Sequence, residues 1–84
     1  MLMAELLVPW HEGLGPRWTA TFQADNDAPQ LLLTAFMDPD GLWRGLVELK
    51  YSFGPDWKSP SPFDTPELAK EWAEAQAEKL RDYR

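Results

Sequence analysis

Along residues 17–24, "RWTATFQA", Trp18, Ala20, Phe22 and Ala24 alternate with Arg17, Thr19, Thr21 and Gln23. That period of two predicts a strand with one buried face. "DNDAP", 25–29, follows as a loop of residues that bond their own backbone or interrupt a strand. Two further strands are predicted over 30–37, "QLLLTAFM", and 42–53, "LWRGLVELKYSF", joined by "DPDG". Asp38, Pro39 and Gly41 suit a type I turn with glycine in the left-handed position. Such a turn pairs residues whose numbers sum to 80. Met37, Ala35, Leu33 and Leu31 then share one face with Trp43, Gly45, Val47 and Leu49. The other face receives Phe36/Arg44, Thr34/Leu46, Leu32/Glu48 and Gln30/Lys50. A slip by one residue would mix the two faces.

"AELLVPW" is ambiguous in period and is read as a short edge strand over 4–9, where Pro9 is tolerated. "GPDWKSPSPF", 54–63, holds three prolines and predicts an extended connection with no element. A helix is expected over 65–82. Thr65 can cap it, with Pro66 at the first helical position, or Asp64 can cap it in a box with Glu67 and a Phe63–Leu68 staple. At 100° per residue, Leu68, Ala69, Trp72, Ala73, Gln76, Leu80 and Tyr83 form the side expected to pack on the sheet. Trp72 is the largest of them and is expected to anchor the core above Ala20, Ala35 and Gly45.

The expected fold class is therefore α+β: an antiparallel three- or four-stranded β-meander with one C-terminal α-helix packed on one face. With 84 residues the chain has room for a single domain, and five Trp, four Phe and two Tyr supply most of its core. The absence of cysteine excludes disulfides and thiolate metal sites. No apolar run is long enough to span a bilayer, and the N-terminal segment makes a poor signal peptide, so a cytoplasmic location is expected, the host cytoplasm if the chain is phage-encoded. Fourteen acidic residues against eight basic give a net charge of −6. That balance argues against direct nucleic-acid binding and against attraction to anionic membrane.

No chemistry emerges from the motifs. His11 is the single histidine, so no histidine metal cluster can form. Asp38 and Asp40 echo the start of a calcium loop, but its twelfth position is Leu49. "DND", 25–27, reads as a polar loop, and Gly13 and Gly15 lack a phosphate-loop context. No catalytic residue, metal ligand or cofactor is assigned, and the chain is expected not to be an enzyme.

Two surfaces draw attention instead. Glu67, Glu71, Glu74, Glu78 and Asp82 lie within about 80° on the helix side opposite the packing face. Glu67/Glu71, Glu74/Glu78 and Glu78/Asp82 repel at i,i+4. The row is either a solvated face that complements the helix dipole or a surface for a protein partner with a basic surface. The second surface is the sheet face away from the helix, where Leu32, Phe36, Leu42 and Leu46 stand. Either the N-terminal segment or the 54–63 loop folds over these residues, with help from Trp10 and Trp57, or they mediate dimerisation or partner binding.

"FDTPELAKEWAEAQA", with three strands before it, resembles over residues 63–75 the end of the three-strand-plus-helix domain at the N-terminus of many phage integrases. There a phenylalanine and a threonine or serine precede a helix of the pattern "eeA-x-x-WA". The resemblance implies a sheet that binds DNA. Here the corresponding face offers Arg44 and Lys50 but also Leu32, Phe36, Leu46 and Glu48, so no functional residue is carried over. In overall type, small, acidic, cysteine-free and motif-free, the chain also resembles phage-encoded inhibitors of host defence such as anti-CRISPR proteins. Those commonly occupy a partner's nucleic-acid-binding surface. The function expected is thus non-enzymatic protein binding of this kind. A homodimer or scaffold subunit and an integrase-type DNA-binding module are the alternatives.

Overall fold

The turn at 38–41 closes as its residue types demand. Asp38 N–H donates to Leu42 O at 2.7 Å, Gly41 N–H donates to Asp38 O at 2.9 Å, and Gly41 takes a φ of 86°. Asp38 also forms an ion pair with Arg44 across the hairpin. The computed structural model describes residues 6–50 and 54–81. Within it the chain forms β1 (Leu6–Glu12), β2 (Arg17–Phe22), β3 (Leu31–Met37), β4 (Trp43–Leu49), β5 (Asp56–Lys58) and α1 (Pro66–Lys79). The strands make one antiparallel sheet in the order β1-β2-β3-β4-β5. The fold class is α+β.

The β3–β4 register follows the turn, from Met37↔Trp43 to Leu31↔Leu49. Residues 6–9 of the expected edge strand at 4–9 lie in β1, which continues to Glu12; residues 4 and 5 fall outside the described residues, as do 51–53 of the fourth expected strand. β1 pairs with β2 through two register shifts, at Leu6/Val8 and Val8/His11, the second of which spans Pro9.

The expectation of no element in 54–63 is wrong. Pro55 and Pro60 leave Asp56, Trp57 and Lys58 free of proline between them, and these pair with Glu48, Val47 and Leu46 as β5. The chain then continues along β4. Ser59 N–H donates to Gly45 O, and Gly45 N–H donates to the buried Ser59 Oγ at 3.1 Å. Phe63 and Trp43 exchange both backbone hydrogen bonds. The proline-rich segment therefore closes the edge of β4, a position where missing N–H groups are tolerated.

Thr65 is the N-cap: its Oγ1 accepts from Leu68 N–H at 3.3 Å, with Pro66 in the first turn. The helix ends at Lys79, with Leu80 as its C-cap, short of the expected 82. Its orientation also differs from expectation. Ala69, Ala73 and Ala77 are fully buried, Trp72 and Leu80 are half-buried against the core, and Leu68 is 45 % exposed. Tyr83 lies outside the described residues. The buried stripe is rotated by about 60° from the side centred near Trp72 and Gln76, toward Ala77.

The reason is steric. A Cβ placed on Gly45 would lie 2.9 Å from Ala69 O and 2.6 Å from Trp72 Cε3. The helix backbone itself rests on the sheet at Gly45, and only alanines fit between helix and strands that close together. The indole of Trp72 is displaced to the flank, over Gly45. Beneath the helix, Ala20, Phe22, Leu31, Leu33 and Val47 complete the main cluster with Ala73 and Ala77. Ala35, Trp43 and Ala69 form a second cluster near the helix start.

Trp10 and Trp57 pack against this core. They do not fold over the opposite sheet face, and neither do β1 and β5, which pair edge to edge with the sheet. Among the described residues, that side of the sheet carries no second layer of secondary structure, so the covering expected from 54–63 is not found.

Candidate functional site

The buried alanine stripe fixes where the acidic row points. Glu67 and Glu71 are exposed, and neither side chain makes a hydrogen bond or ion pair with another described residue. Glu78 is half-buried and pairs weakly with Arg81 at 3.6 Å. Glu74 sits where the row meets the sheet, and its Oε2 accepts from Trp10 Nε1–H at 2.9 Å. Asp82 lies outside the described residues.

Lys70 is the side chain best placed to neutralise the row, three residues after Glu67 and four before Glu74. It points elsewhere. Its ammonium lies 3.7 Å from the Trp18 ring centroid and 5.8 Å from that of Trp10. The two indoles draw the cation away by their negative π-faces. The same contacts, with the Trp10–Glu74 hydrogen bond, fasten the β1–β2 hairpin to the flank of the helix. This tryptophan–lysine–glutamate cluster is not legible in the sequence. The two register shifts in β1 hide from the sequence that Trp10 and Trp18 meet on one face.

On the outer sheet face, Leu32, Phe36 and Leu46 floor a groove of about 230 Å³, walled by Arg17, Thr19, Thr34 and Glu48. Leu42 is half-buried and does not line it. Side chains of the sheet lean over this face: Lys58 Nζ lies 5.5 Å from the Phe36 ring centroid, and Lys50 Nζ donates to Thr21 Oγ1 at 3.0 Å.

The residues tested for chemistry are engaged in local structure. His11 Nδ1–H donates to Pro9 O at 3.0 Å, since a carbonyl can only accept. Its Nε2 then accepts from the Thr19 hydroxyl at 3.0 Å. Asp25 Oδ1 accepts from Asp27 N–H, and Asp40 Oδ1 from Leu42 N–H, both as turn-forming bonds. Among the described residues, no three of His, Asp and Glu converge as a metal site, and no helix is long and apolar enough to cross a membrane. No protein-family model matches the chain, and neither curated proteins nor solved structures gave a match.

Proposed function

We propose that the chain is a non-enzymatic protein-binding module. Its outward helix face, centred on Glu67, Glu71 and Glu78, docks on a basic surface of a partner that handles nucleic acid and blocks that surface. The mode is that of small acidic inhibitors of the anti-CRISPR type. One observation carries this reading. Exposed, mutually repelling glutamates persist although Lys70 stands within reach and is held on Trp18 instead. Each like-charge pair costs a few tenths of a kcal/mol. A row kept at that cost attracts arginine and lysine and speeds encounter with them.

The test uses Glu71→Lys with Glu78→Lys, which leaves the Trp10–Glu74 hydrogen bond in place. Stability is expected to change by less than about 0.5 kcal/mol. In affinity capture from host lysate read by quantitative mass spectrometry, the partner enriched by the parent chain is expected to be lost by the double variant. Retention of the same partner would remove the row from its binding surface.

A further inference from the structure

The outer sheet face breaks the pattern expected of a solvated surface. An antiparallel sheet covered on one side ordinarily shows polar residues on the other. Here three large apolar side chains, Leu32, Phe36 and Leu46, sit together at the centre of that face. At opposite corners of their groove stand Arg17, exposed, and Glu48, half-buried. Neither side chain makes a hydrogen bond or ion pair with another described residue. Arg17 aligns with Phe36, whereas Glu48 aligns with Leu32, four residues along and one strand beyond. The two are roughly 16 Å apart, too far to pair within one chain.

We propose that this face is a two-fold homodimer interface. The apolar floor of one copy packs on that of the other, and Arg17 of each copy pairs with Glu48 of the other. In a two-fold contact any pairing of i with j occurs twice, so an unpaired cation and an unpaired anion flanking one apolar patch are self-complementary. The sheet edges are poorer routes to association. β1 carries Pro9 and two register shifts, and β5 is three residues long with Lys58 at its end. Both features blunt strand addition. The face measures about 24 Å across its strands and 20 Å along them. That lies at the small end of specific interfaces, so a weak, concentration-dependent dimer is expected. Both helices then face outward. The inference goes beyond the proposed function, and neither depends on the other.

Sedimentation equilibrium of the full chain, from about 1 µM to about 1 mM, tests it. The average mass is expected to rise from monomer toward dimer, and Leu46→Glu is expected to hold it at monomer. Arg17→Glu and Glu48→Arg alone are each expected to weaken the dimer by about tenfold or more, because each faces a like charge twice. Combined, they are expected to restore it. The charge exchange keeps the test open should Leu46→Glu disturb folding, which far-UV circular dichroism would reveal. A parent chain that stays monomeric throughout overturns the proposal, and so does a dimer indifferent to both charge reversals.

Discussion

Gly45→Ala is expected to lower the unfolding free energy by about 3 kcal/mol. The added methyl would meet Ala69 O at 2.9 Å and Trp72 Cε3 at 2.6 Å. The indole could turn aside, being on the flank of the helix. The carbonyl could not, because it belongs to the helix backbone. Relief therefore requires the helix to lift from β4, which loosens Ala69 and Ala73 from the strands together. Urea unfolding followed by circular dichroism would show a lower midpoint with an unchanged slope. A loss below about 1 kcal/mol would mean that the helix does not rest on this glycine.

Phe22→Ala is expected to cost more, about 4 kcal/mol. Phe22 is 1 % exposed and sits in the main cluster, so its removal leaves a cavity enclosed by side chains from both layers. That is a large share of the roughly 4–13 kcal/mol that a domain of this length holds. Trp72→Ala is expected to cost only about 2 kcal/mol, since a half-buried ring gives back part of its area to water. Side-chain size alone predicts the opposite order, so the pair tests helix orientation as well as packing. Equal losses at Phe22 and Trp72 would contradict the rotated helix.

The β3–β4 hairpin was legible because two independent signals agreed. The turn chemistry of "DPDG" and the alternation on both arms select one register. The helix start was legible for a similar reason, since Thr65 and Pro66 each have one favoured place. Helix rotation was not. A hydrophobic stripe is weighted by large side chains, which drew the centre toward Leu68 and Trp72. Close approach at Gly45 gives the interface to alanines, whose contribution depends on the partner surface. β5 is hidden because three prolines in 54–63 argue against a strand, although only one side of that segment must pair with β4. Of the acidic row, Glu67, Glu71, Glu74 and Glu78 follow from helical spacing. The diversion of Lys70 to Trp18 requires the β1–β2 register, and no turn signal in the sequence specifies its two shifts. The groove walls Arg17 and Thr19 were missed because the loop between β2 and β3 carries no register marker comparable to "DPDG".

The reading of the molecule as a binding module rests on the outward glutamates acting through their charge. The direct measurement is the association rate with the captured partner, for the parent chain and for Glu71→Lys with Glu78→Lys, as ionic strength is raised. Steered encounter predicts a parent rate that falls steeply with salt and a double variant that is slow at every salt concentration. Equal rates in the two chains, unmoved by salt, would contradict it.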